Sequence, residues 1–153
     1  MNSIKVAVLL PCFNEAGAIG KTVMSFKQAL PDASVYVYDN NSTDNTVNEA
    51  LQAGAIVRHE PRQGKGEVVR RMFSDIDADI YVMADGDDTY DASVCPALIE
   101  QLDNEKLDMI IGSRERVLMA YPKGHILGNK LFSSLINLAF NAQLSDVFSG
   151  YEL

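Results

Sequence analysis

The sequence is short of positive charge: 13 Lys and Arg stand against 21 Asp and Glu, a formal net charge of −8. A nucleic-acid backbone needs a basic face to hold it, so that partner is excluded. A small anion held by a few local cations or a metal is not. Cysteine is scarce, and Cys12 and Cys95 form neither a CxxC pair nor a zinc spacing. Both read as reduced thiols of a cytoplasmic protein. No run reaches the roughly 18 apolar residues of a membrane span. The nearest, LFSSLINLAFNAQLS at 131–145, is uncharged but interrupted by Ser and Asn. It reads either as a core helix or as a helix lying on a membrane surface. The start, MNSIKVAVLLPCFNE, lacks the basic segment and small-residue cleavage site of a signal peptide. The glycines of PRQGKGEVVRR fit neither GxxxxGK[ST] nor GxGxxG. His59 and His125 have no neighbours patterned as a zinc site or a triad, and carry no assigned chemistry.

What is present is an ordinary globular composition, 47% hydrophobic and 22% charged over 153 residues, enough for one domain. Five short apolar runs rich in Val, Ile and Tyr predict strands: 4–10, 34–39, 55–59, 79–85 and 108–113. Between them EAGAIGKTVMSFKQAL, TDNTVNEALQAG, KGEVVRRMFSDID and SVCPALIEQLD have helical spacing. Strand and helix alternate, which predicts a mostly parallel sheet covered on both faces. From 114 to 130, Pro122, Gly124 and Gly128 suggest a loop before a last helix.

In such sheets ligands bind at the carboxyl ends of the strands, and every predicted strand here ends in polar residues. YVMADGDDTYD packs Asp85, Asp87, Asp88 and Asp91 into seven positions, with no basic residue inside the stretch. Gly86 lets the backbone turn so that Asp85 and Asp87 can aim at one point. A hard cation takes such oxygens together with substrate phosphates. A solvated acidic turn is the plain alternative. In YDNNSTDNT, Ser42 or Thr43 would cap the next helix. Asp39 can accept from a base N–H or a ribose hydroxyl, and Asn40 serves either polarity. Lys65 sits between two glycines and reads as a solvated lysine or as an ammonium near a base or phosphate. In PCFNEAG, Asn14 would cap a helix, with Glu15 in its first turn or accepting from a ligand. Arg114 and Arg116 are candidate phosphate forks, or solvated loop residues.

Taken in order, PCFNEAGAIG, YDNNSTDNT, RQGKGEVVRRMF, DIYVMADGDDTYD, IIGSRE and DVFSGYEL resemble the family 2 glycosyltransferases. The likeness is greatest to the dolichyl-phosphate mannosyltransferases and bacterial polyprenyl-phosphate glycosyltransferases. The resemblance implies a GT-A, Rossmann-like α/β/α sandwich forming one catalytic domain over 1–153, which stops short of the family's usual C-terminal part. Pro11, Phe13 and Glu15 would line a nucleotide pocket, with Asp39 at the base, Lys65 beside it and Asp85 nearer the ribose; the residue chemistry adds Asn40 as a candidate nucleoside contact. Asp85 and Asp87 match the DxD positions that hold Mg²⁺ or Mn²⁺. Arg114 would face the phosphates and Asp146 the reacting centre. Glu152 stands where the family tends to have Arg. The implied reaction moves a sugar with inversion from a UDP- or GDP-sugar to a lipid phosphate, at the cytoplasmic face of a membrane. The alternatives are a nucleotide-sugar binding fragment without turnover, a sugar nucleotidyltransferase, which should carry a cation that PCFNEAGAIG lacks, and an unrelated doubly wound binding protein.

Overall fold

The computed structural model describes residues 4–112. They form β1 (Val6–Cys12), α1 (Ile19–Ala29), β2 (Ser34–Asp39), α2 (Thr46–Gln52), β3 (Ile56–His59), α3 (Lys65–Asp75), β4 (Ile80–Met83) and α4 (Cys95–Asn104), the last entered through a single 3₁₀ turn at Ala92–Val94. All four strands run parallel in the order β3-β2-β1-β4.

The strands alternate between two buried faces. Val8, Leu10, Val35, Val37 and Val82 pack with Ile19, Val23 and Phe26 of α1, Ala50 of α2 and Cys95 of α4. Ala7, Leu9, Tyr38 and Met83 point the other way and pack with Val68 and Met72 of α3. A parallel sheet covered on both faces reads as near-continuous apolar runs, which is why its strands were legible. Each buried Val, Leu, Ile, Phe or Met contributes about 1.5–3 kcal/mol. The result is the α/β/α sandwich that the alternation predicted. Both cysteines are buried, and neither forms a disulfide.

The chain steps from β1 outward to β2 and β3, then crosses to the opposite side of β1 for β4. That reversal is a topological switch point, where doubly wound sheets open a crevice for ligands. Pro11 ends the pairing on one side of it. Leu9 pairs with Met83 and its carbonyl accepts from Ala84 N–H at 3.2 Å. In a parallel ladder the next bond toward β4 would come from the N–H of residue 11, and proline has none. The β1–β4 ladder therefore ends there, while β1 stays paired with β2 as far as Cys12 and Asp39.

Two expectations are corrected. The first strand lies two residues later than 4–10: Lys5 N–H donates to the Asp79 side chain, at 2.7 Å to Oδ2, rather than to the sheet, and pairing with β2 continues to Cys12. The run 108–113 shows one bridge residue, Ile111, among the described residues rather than a strand, with Met109 and Ile111 exposed.

Candidate functional site

The loops after β1 and β2 are stitched together. Asn14, in a left-handed turn at φ 56° that Asn tolerates, donates its N–H to Ser42 Oγ at 2.9 Å and accepts from Thr43 N–H at 2.8 Å. Glu15 N–H donates to Thr46 Oγ1 at 2.8 Å, Ala16 N–H to Asp44 Oδ2 at 3.0 Å and Gly17 N–H to Glu49 Oε2 at 2.6 Å. The capping assignments therefore change. Asn14 does not cap α1, which begins only at Ile19 with no side-chain cap. The first N–H of α2 is met by Asp44, at 3.0 Å from Thr46 N, rather than by Ser42 or Thr43. Phe13 stands half-exposed at the rim of this seam and Pro11 is half-buried behind it.

Asp39 ends β2 as a buried carboxylate. It accepts from Ser42 N–H, at 3.2 and 3.4 Å to its two oxygens, and meets His59 Nδ1 at 3.1 Å. Asn40 beside it is wholly occupied. Its amide donates to the Glu60 and Arg62 carbonyls, each at 2.8 Å, and its oxygen accepts from Gly64 N–H at 2.8 Å and Gln63 Nε2 at 3.3 Å. An amide has two donors and two acceptor sites, so Asn40 holds the loop after β3 and has none left for a nucleotide. Its role is positioning.

After β4, Asp85 is partly buried and its carboxylate contacts the Lys65 ammonium at the start of α3. The acidic turn thus has a cation, brought from 20 residues away and invisible in the local sequence. Lys65, read as lying near a base or phosphate, contacts Asp85. Gly86 is buried, and a Cβ there would stand 2.5 Å from Cys12 Sγ and 3.1 Å from Ile19 Cδ1, so only glycine lets the turn lie against β1. Thr22 Oγ1 of α1 lies 3.2 Å from the Gly86 carbonyl. Asp87 accepts from Thr89 N–H at 3.1 Å and Thr89 Oγ1 at 2.6 Å. Asp91 caps the 3₁₀ turn through Ser93 N–H at 2.9 Å.

Cys12 lies where these tips converge. Burial pushes its thiol well above the ordinary range, and the carboxylates of Glu15, Asp39, Asp85 and Asp87 push it further. Glu15 is raised too, first by burial and then by Asp87, Asp85 and Asp44. Carboxylates that follow β1, β2 and β4 thus all act on the Cys12 thiol. Among the described residues no group of three or more His, Cys, Asp or Glu is placed to hold a metal ion. A cation that takes most of its ligands from water and substrate phosphates needs only one or two carboxylates, and Asp85 and Asp87 offer the hard oxygens that Mg²⁺ or Mn²⁺ prefers.

Residues 7–151 match the family "Glycosyl transferase family 2". This chain belongs to that family. Protein RfbJ of Shigella flexneri is 54% identical over 126 residues, 81% of this chain and 98% of RfbJ. The low-salt glycan biosynthesis hexosyltransferase Agl6 of Haloferax volcanii is 33% identical over 152 residues, 95% of this chain and 37% of Agl6. The fold also matches glucosyl-3-phosphoglycerate synthase of Mycobacterium tuberculosis, crystallised with Mn²⁺, UDP-glucose and phosphoglyceric acid. That match has a TM-score of 0.71 at 23% identity and covers 98% of this chain and 56% of the other. The chain thus spans nearly all of RfbJ but 37% of Agl6 and 56% of the synthase.

In this family 2 chain, Arg114, Arg116, Asp146, His125 and the run 131–145 lie outside the described residues. Three polar contacts escaped the sequence reading: His59 on Asp39, Thr22 under the Gly86 turn, and Glu60 in the loop after β3. Glu60 is buried; its Oε1 accepts from Arg62 N–H at 2.8 Å, and that bond is the first cause holding its carboxyl below the usual range. The sequence signals none of the three, because sheet register or loop closure supplies each partner.

Proposed function

We propose that this chain binds a UDP- or GDP-sugar at the carboxyl edge of β1, β2 and β4 and transfers the sugar, with inversion, to a polyprenyl phosphate. The observation that carries the reading is that Asp39 and the Asp85–Asp87 turn leave β2 and β4 at the same carboxyl edge of the sheet, on either side of β1 at the switch point. Anions are not gathered this way without a cation or hydrogen-bond donors to answer them.

Asp39 would accept from a base N–H, and Glu15 and Asp85 from sugar hydroxyls. Pro11 and Phe13 would border the nucleotide. Asp85 and Asp87 would supply oxygens to Mg²⁺ or Mn²⁺. When bound, that ion would offset the charge building on the leaving diphosphate. Lys65, on a long flexible stem, compensates Asp85 before the donor arrives. Arg114 would face the phosphates. The lipid-phosphate oxygen attacks the anomeric carbon, and the bond to the diphosphate breaks with its electron pair leaving on the nucleotide. That oxygen is already anionic, so no strong base is needed. Asp146 would serve as base if the acceptor were a hydroxyl. The motif resemblance supports the lipid acceptor, and with it a place at the cytoplasmic face of a membrane. The Mn²⁺ and UDP-glucose named for the synthase support the metal and donor class.

The test is a thermal-shift panel of UDP- and GDP-sugars with and without Mn²⁺. A ligand at 100 times its Kd stabilises the native state by about 2.7 kcal/mol. At least one donor should raise the melting temperature only when Mn²⁺ is present. No metal-dependent shift with any donor would overturn the reading.

A further inference from the structure

We propose that His59 is a positioning residue for the nucleobase: it fixes the Asp39 carboxylate in the orientation that accepts a base N–H. The inference rests on the donor-binding role proposed for Asp39.

Asp39 is an anion with little compensation. Its side chain is 5% exposed. Among the described residues its one backbone donor, Ser42 N–H, is shared between both oxygens at 3.2 and 3.4 Å, a geometry weaker than a single short bond. His59 Nδ1, 3.1 Å from Oδ2, is the shortest contact to that carboxylate. The neighbours Glu15, Asp85 and Asp87 are all acidic and join Asp39 in raising the Cys12 thiol. An ionised carboxylate only accepts, so Nδ1 must carry the proton.

The backbone is built to keep the ring there. Asp39 and His59 are direct register partners on β2 and β3. Glu60 N–H donates to the Asp39 carbonyl at 3.0 Å, and the Asn40 clamp fixes the residues that follow. The preceding Arg58 turns to the other face, against Tyr38 Oη and Asp75, so His59 alone of this strand reaches Asp39. The His59 side chain is 55% exposed, so removing it opens no core cavity. Its loss frees Asp39 to rotate, and the base must then order it on binding.

The experiment is calorimetric titration of the whole chain, with Mg²⁺ present, by UDP or GDP (whichever the wild type binds) and separately by inorganic pyrophosphate. The proteins are wild type, His59→Ala and His59→Asn. Asparagine keeps an N–H close to the Nδ1 position. His59→Ala should weaken nucleotide binding about tenfold, His59→Asn should restore it to within about threefold, and pyrophosphate binding should stay unchanged in both. Nucleotide affinity unchanged in His59→Ala would overturn this inference and leave the donor site standing. Equal loss of nucleotide and pyrophosphate, or no rescue by Asn, would make His59 merely structural. A wild type that binds neither nucleotide would overturn the inference and the proposed function together.

Discussion

The loop after β3 and the turn after β4 are opposite kinds of construction. In the first, buried Asn40 spends all its hydrogen-bonding capacity on Glu60, Arg62, Gln63 and Gly64. In the second, Asp85 and Asp87 press on Glu15 and Cys12, and the one ammonium that answers them among the described residues, Lys65, is half-exposed. Saturating Asn40 rigidifies its loop, in which Glu60 Oε2, 3.9 Å from Arg71, is the buried side-chain oxygen left without a hydrogen-bond partner among the described residues, whereas an unbalanced cluster of like charges marks a place for a ligand. The first loop is built as scaffold, and the second carries the carboxylates proposed to bind the donor.

The most severe test of that contrast is Asn40→Ala, which strands the Glu60 and Arg62 carbonyls and the Gly64 N–H. An unmet buried group costs about 1–3 kcal/mol, so a loss of about 3 kcal/mol in urea unfolding is expected. A loss under about 1 kcal/mol would mean that the loop holds itself. Gly86→Ala probes the turn after β4. Its Cβ would collide with Cys12 Sγ, and overpacking of this kind costs about 1–3 kcal/mol. Cys12→Ala in the same chain should recover about 1 kcal/mol of coupling in a double-mutant cycle. Strict additivity would show that the turn moves aside instead.

The smallest expected effect concerns charge. The native Glu15 carboxyl titrates above its ordinary range, so the folded chain holds a proton that the unfolded chain has released. Stability from this group is therefore intact below the ordinary carboxylate range and falls as pH climbs to the raised value. Glu15→Gln should be more stable than wild type at pH 7, by about 0.5 kcal/mol or less for so partly solvated a group, and equal to it at pH 3. Melting temperatures at both values check this, and a variant less stable at pH 7 would mean that the charge is welcome where it lies.

Much of the scaffold was legible because burial on both faces writes a strong local pattern. The runs 34–39 and 55–59 match β2 and β3 to within one residue, and the helices fall in the expected gaps. The gathering of polar residues at the strand ends was readable for the same reason, since strand order in a parallel sheet fixes which end each loop leaves from. The details of the site were not. Asn14, Ser42 and Thr43 look like helix caps one at a time, yet they bond to one another across 28 or 29 residues. The Lys65–Asp85 pair and the His59–Asp39 contact each span 20 residues, and no local period announces them. The run 108–113 looked like a strand from composition alone, whereas only the bridge at Ile111 appears in the described part.

The account turns on whether the acidic basin takes its cation together with a nucleotide. Calorimetry of the wild type and Asp87→Ala with UDP or GDP, with and without Mn²⁺, addresses that directly. We predict nucleotide binding that requires Mn²⁺ in the wild type, and a loss of at least about tenfold in Asp87→Ala at an unchanged melting temperature. Equal affinity for the two proteins in Mn²⁺ would contradict it.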